Sequence, residues 1–216
     1  LRRQRQMCIR DRSTTRKIAF ERTSKQHVRI SQNTVKDSVL VEKMLMNKQN
    51  FKSAKDVDGF VPQASGLYCI RIKNVHLLPE PFGTILLERG HDILYIGIAS
   101  ENLYNRFLNQ ELRAKGHGTF FRSMGAVLGY KPPKGSLIEK RNKKNYKFSK
   151  TDELKIIGWI NENLMVNWVE SAGDLDSLET SLIVKYLPLL NLSKNPAALQ
   201  ILSYLRKECV EIANRN

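Results

Sequence analysis

Two phenols, a guanidinium and a carboxylate are the side chains with the most to say about chemistry in this chain. Tyr68 and Tyr95 each stand in a short apolar run, in Gly66-Leu67-Tyr68 and in Tyr95-Ile96-Gly97. Residues of a strand alternate between faces, so Tyr95 shares its face with Gly97 and Ala99, two small residues that leave an open patch beside the ring. A glycine inside a strand often marks the close approach of another group. By itself a strand tyrosine is an ordinary core residue with its hydroxyl at the surface. Glu179 is less ordinary. Leu175, Leu178, Leu182, Ile183 and Tyr186 recur at helical spacing, and at 3.6 residues per turn Glu179 falls on the same face. A carboxylate there is costly unless it is paired or binds a metal, and the competing reading is an edge position with its head in water. With no partner carboxylate at metal-site spacing, Glu179 would hold a hard cation together with water and phosphate oxygens. Arg106 lies among Leu103, Phe107 and Leu108, at the boundary of another apolar face. Its planar fork suits a phosphate, although a solvated arginine is the commoner case.

The elements that must position these groups are legible as periodicities. Gly66 to Lys73 and Ile93 to Ala99 read as core strands that pair antiparallel, and Met165 to Glu170 as a third strand. Thr84 to Glu88 reads as a further short strand. Helical spacing covers Val35 to Leu45, the stretch after Asn102, Phe120 to Gly129, Thr151 to Leu164, and Leu175 to Tyr186 with Asp174 or Asp176 as its cap. A last helix is predicted from Pro196 to Asn214, with Asn195 as N-cap. Lys131 to Lys150 has no clear period. It holds eight Lys or Arg and one Glu, interleaved with Tyr146 and Phe148 and preceded by Tyr130. Such a segment can neutralise phosphates and stack on exposed bases, so Lys131, Lys134, Lys140, Arg141, Lys143 and Lys144 are candidate substrate contacts. Most charge runs are merely solvated loops.

Bulk composition narrows the partners. The formal net charge is +15 over 216 residues. Residues 1–12 look like translated adaptor sequence, and without their five Arg and one Asp about +11 remains. That excess favours a polyanionic partner. No apolar run is long enough to span a bilayer, so no membrane association is expected. Cys8, Cys69 and Cys209 have neither metal-ligand spacing nor an even framework, which suggests a reducing, cytoplasmic setting; Cys69 and Cys209 fall at core positions.

The ordered set Gly66-Leu67-Tyr68, Tyr95-Ile96-Gly97, Asn102-Leu103 with Arg106, Glu179 and Asn191 resembles the GIY-YIG nuclease domain. The likeness covers roughly Ser65 to Leu192. Its most specific part is Glu179 followed twelve positions later by Asn191, in ETSLIVKYLPLLN. The resemblance implies an α+β fold, a small three-stranded antiparallel sheet flanked by helices, here with a basic insert and helical N- and C-terminal extensions. The corresponding layout is an arm with one helix at 13–62, a GIY-YIG domain at 63–194 with the insert at 131–150, and a C-terminal helix at 195–216. It also implies single-metal hydrolysis of a DNA phosphodiester, with RNA left open. Glu179 would hold Mg2+ or Mn2+, Arg106 would stabilise phosphate charge, Tyr68 would accept a proton from the attacking water or orient it, and Tyr95 would position water or phosphate. Asn191 would brace the site on the substrate side. Two departures stand out. Ile98 replaces a lysine that many members carry after the second triplet, and Gln110 replaces a histidine or tyrosine one turn after the arginine. His117 is the candidate substitute in proton transfer. The alternative reading is a non-catalytic nucleic-acid-binding module on a degenerate scaffold; a third is a protein-interaction domain whose basic surface is incidental. Retention of Glu179 argues for the enzyme, because a buried carboxylate without a function is destabilising.

Overall fold

The computed structural model describes residues 37–216. The chain divides into a unit of residues 1–40 and one of residues 41–216. The 1–12 head and residues 13–36 of the N-terminal arm lie outside the described residues. The sheet has four antiparallel strands, not the three expected: β1 (Lys52–Ser53), β2 (Gly66–Ile72), β3 (Ile93–Ala99) and β4 (Leu164–Glu170), in the order β1-β4-β2-β3. The extra strand has two residues and adds to the outer edge of β4, through Lys52 opposite Val166 and Ser53 opposite Met165. Helix α1 is described over residues 37–46, followed by α2 (Phe82–Glu88), a π-helix (Tyr104–Leu112), α3 (Thr119–Val127), α4 (Lys150–Asn163), α5 (Leu175–Tyr186) and α6 (Gln200–Asn214). The run Thr84 to Glu88, expected as a strand, lies in α2. A short apolar run fits either period, and the turn made by Phe82 N–H donating to the Pro79 carbonyl starts the chain helically.

Every residue of β2 is buried, so both faces of the sheet are covered. On one face Tyr68, Ile70 and Ile72 join Leu94, Ala99, Phe107, Phe120, Ile156 and Leu202. On the other, Leu67, Cys69 and Ile96 pack with Leu45 of α1 and with Leu175, Leu182 and Ile183 of α5. Removing side chains of this size from water contributes about 1.5–3 kcal/mol each. Burial pushes the Cys69 thiol up to about 12, in keeping with an inert core residue. Among the described residues no helix is long and apolar enough to cross a membrane.

Strand β3 ends the sheet on the side opposite β1, and its exposed edge needs partners. The chain after α5 supplies them. Leu189 and Leu190 N–H donate to the Ile93 and Leu94 carbonyls at 3.2 and 2.8 Å. Asn191 then acts like a strand peptide turned sideways: Nδ2 donates to the Ile96 carbonyl at 2.8 Å and Oδ1 accepts from Ile96 N–H at 3.0 Å. Arg89 ties the same segment from behind, donating to the carbonyls of Leu187, Pro188 and Ala197. Asn195 does not cap the last helix. Its Nδ2 donates to the Pro188 and Asn191 carbonyls and its Oδ1 accepts from Ala197 N–H, so it closes a turn, and α6 starts only at Gln200.

Candidate active site

The two tyrosines lie on one face of adjacent strands, with Tyr68 directly opposite Gly97 in the β2–β3 register. Their rings stack at 6.2 Å between centroids, and Tyr68 stacks on Phe107 of the π-helix at 4.6 Å. The ring of Tyr68 lies across Gly97. A Cβ there would stand 2.5 Å from Tyr68 Oη and 2.6 Å from its Cζ, so only glycine admits this arrangement. Gly66 is confined in the same way, by the Val169 carbonyl and the Leu103 side chain.

The π-helix brings Arg106 to these rings. In this winding residues five apart stack, and the buried pairs Leu103–Leu108 and Phe107–Leu112 follow that spacing. Beneath Arg106 the same spacing sets Glu111, which the sequence reading missed. Arg106 Nη2 lies 3.0 Å from Glu111 Oε1, and its Nη1 donates to Gln110 Oε1 at 3.0 Å. Glu111 is wholly buried. It accepts from Thr119 N–H at 3.1 Å and from Phe121 N–H at 3.2 Å, so it caps α3 from outside the helix. It also accepts from Tyr68 Oη, at 3.5 Å. Burial pushes its carboxyl above the ordinary range, against the pull of Arg106 and of the α3 amides. Burial also opposes the charge of Arg106, but Glu111 and the two phenols outweigh it and hold the guanidinium firmly protonated. A signal for Glu111 was present: it falls on the face of Phe107, Leu108 and Leu112, where a charge requires a partner.

Tyr68 and Tyr95 are both driven well above the usual phenol value, first by burial and next by the Glu111 carboxylate. Arg106 pulls each in the opposite direction without overcoming this. Both hydroxyls therefore remain protonated in this site as it stands.

Glu179 approaches from α5, on the other face, and meets Tyr95 beyond the edge of β3. The two residues line a cavity of about 110 Å3 with Thr119, Ile183, Asn191, Leu192, Ser193 and Lys194. The Glu179 side chain is 13% exposed and pairs with Lys194, whose Nζ stands 2.8 Å from Oε2. Lys194 was not expected from the sequence. Among the described residues no three His, Cys, Asp or Glu side chains are grouped to hold a metal. The site fits a hard cation in a limited way: one carboxylate already faces a cationic group, and the remaining positions would fall to water and phosphate oxygens, as magnesium prefers. Asn191 lines the cavity, with one amide N–H and Oδ1 held by the Ile96 backbone of β3.

His117 is set elsewhere. It lines a larger cavity, of about 610 Å3, with Lys140, Arg141, Asn142, Asn145 and Lys147 of the insert. His117 lines this cavity, and Thr119, two residues on, lines the smaller one. The insert itself folds as turns anchored by aromatic residues. Tyr146 is fully buried and Phe148 nearly so, within the core shared by α3, α4 and α6, so these rings are not available to stack on bases. Lys131 pairs with Glu208 at 2.6 Å, and Lys143 Nζ donates to the Leu137 and Ile138 carbonyls. Lys134, Lys140, Arg141 and Lys144 are exposed.

This arrangement, a glycine-pinned tyrosine pair on an antiparallel sheet with an arginine on the following helix and a glutamate brought to the strand edge, defines a nuclease-type fold. The model of the GIY-YIG catalytic domain matches residues 66–208, and the chain belongs to that family. No curated protein and no solved structure gives a match.

Proposed function

We propose that the chain is a divalent-metal-dependent endonuclease acting on DNA. The observation that carries this reading is the convergence of Glu179 and Tyr95 on one small cavity. Arg106 is linked to that cavity through Glu111 and Thr119. Glu179 would hold the cation, which when bound polarises a phosphoryl oxygen and stabilises the leaving oxygen. Arg106 presents a fixed positive charge to the phosphate. It is held at two points by Glu111 and Gln110, so little reorganisation is needed as charge develops. Tyr95, protonated and lining the cavity, donates a hydrogen bond to water or to a phosphate oxygen. Of the two roles expected of Tyr68, its complete burial and its contact with Glu111 support orientation rather than proton acceptance. The insert cavity beside His117, rimmed by Lys140, Arg141 and Lys147, would continue the path of the nucleic acid as a charged wall.

Nicking and linearisation of supercoiled plasmid with Mg2+, beside Glu179→Ala and an EDTA control, tests the reading. Cleavage that requires both the metal and Glu179 is expected. Salt-sensitive binding without cleavage in either protein would favour the non-catalytic module instead.

A further inference from the structure

Lys194 is built into the site in a way that its neighbours make explicit. Its Nζ reaches Glu179 Oε2 at 2.8 Å and Asp176 Oδ1 at 2.5 Å. Its backbone is left-handed, with φ +63°, a conformation that a residue with a Cβ adopts at a cost. Such a residue persists when its surroundings impose it. Here the imposition is visible on both sides. Asn191 is fixed to Ile96, Asn195 spans the Pro188, Asn191 and Ala197 backbone, and Arg89 grips Leu187, Pro188 and Ala197. The turn thus aims an ammonium group at the one carboxylate that lines the small cavity.

That carboxylate is also the one proposed to hold the metal, and a second cation within a few ångströms of the same oxygen is repelled. Asp176, whose side chain is 75% exposed, offers Lys194 a place to remain when Glu179 is taken. From there a flexible four-carbon side chain still reaches the cavity, where an ammonium serves as a point charge for a phosphate oxygen.

We propose, building on the nuclease reading, that Lys194 is a resident cation that competes with the divalent metal for Glu179 and, once displaced, contacts a non-bridging oxygen of the substrate phosphate. In the free protein it keeps Glu179 aimed while weakening metal binding. With substrate present, its charge is shifted to the phosphate and metal binding is no longer opposed.

Mn2+ titration of the protein without DNA, followed by electron paramagnetic resonance of the free ion, tests this independently of cleavage. The variants are Lys194→Asn, which suits a left-handed backbone and removes the charge, Lys194→Gln as a second neutral form, and Lys194→Arg to retain the cation. Thermal melting checks each fold. Both neutral variants should bind Mn2+ on the order of tenfold more tightly than wild type, as expected for removing a nearby like charge. Lys194→Arg should stay near wild type, and Glu179→Gln should abolish binding. At saturating Mn2+ the neutral variants should turn over plasmid more slowly, as expected if the ammonium acts on the phosphate. Equal Mn2+ affinity in wild type and neutral variants, with binding still lost in Glu179→Gln, would overturn the role of Lys194 and leave the metal site standing. No binding in any variant would remove the metal site itself, and this inference with it.

Discussion

Replacing Glu111 by alanine removes the acceptor that serves Arg106, Thr119, Phe121 and Tyr68 at once. The magnitude can be bounded from the individual contacts. Removing one member of a buried charge pair costs about 3–5 kcal/mol. Arg106 keeps 34% of its side chain in water, so the pair belongs at the low end of that range. The α3 amides then lose their acceptor, at about 1–3 kcal/mol for each that stays buried. Thr119 is partly exposed and can recover a water, whereas Phe121 cannot. The 3.5 Å contact from Tyr68 adds little. Together these give a loss of about 4 kcal/mol. For a chain of this size that corresponds to ~8–16 °C in melting temperature, at about 2–4 °C per kcal/mol. Glu111→Gln should cost about half as much, because one oxygen remains an acceptor while the new amide N–H groups face another donor. Thermal melts followed by far-ultraviolet circular dichroism would measure both. A Glu111→Ala protein that melts within ~3 °C of wild type would refute the view that this carboxylate holds α3 and Arg106 in place.

Two further outcomes follow from single contacts. Gly97→Ala sets a methyl group against the Tyr68 ring, 2.5 Å from Oη, so the ring must move. The expected destabilisation is about 1–3 kcal/mol, with plasmid cleavage falling far more than the melting temperature does. Cleavage retained at the wild-type rate would show that the Tyr68 hydroxyl is not needed where it stands. His91, on the turn before β3, accepts from Ile93 N–H through Nδ1 at 3.2 Å, which requires a neutral ring. Burial, then Arg89, lower its pKa below the ordinary 6.5. The unfolded chain therefore takes up the proton first, and the stability present above about pH 6.5 is lost as pH falls toward the lowered folded value. Urea denaturation between pH 7.5 and pH 5.5 should show this loss, and His91→Gln should flatten it. An identical pH dependence in the variant would exclude His91 as the source.

How far the sequence disclosed this site depends on whether each residue answers to a regular period. Tyr68, Tyr95 and Glu179 do. Strand alternation put Tyr95 beside Gly97, and a 3.6-residue repeat put Glu179 on an apolar face, where its charge demanded a partner. That Glu111 sits on an apolar face was legible, but its pairing with Arg106 was hidden by the winding of the helix that carries both. An α-helical reading sets Gln110 one turn after Arg106, whereas the π-helix sets Glu111 there, and a five-residue repeat in nine residues is not distinguishable from sequence alone. β1 was invisible for a different reason. Its two polar residues carry no pattern, and their strand geometry comes wholly from pairing with β4. The insert shows the opposite failure, in which composition suggested too much. Tyr146 and Phe148 among lysines looked like base-stacking residues, yet a segment without helix or strand needs its own anchors, and these two rings are buried as such. Lys194 had no local signal at all. Its position follows from a left-handed turn that exists because Arg89, Asn191 and Asn195, the first more than a hundred residues from the others, converge on the same backbone. The residues placed by regular structure were therefore legible, while the Arg106–Glu111 pair depends on an irregular helix winding and the Lys194–Glu179 pair on tertiary geometry.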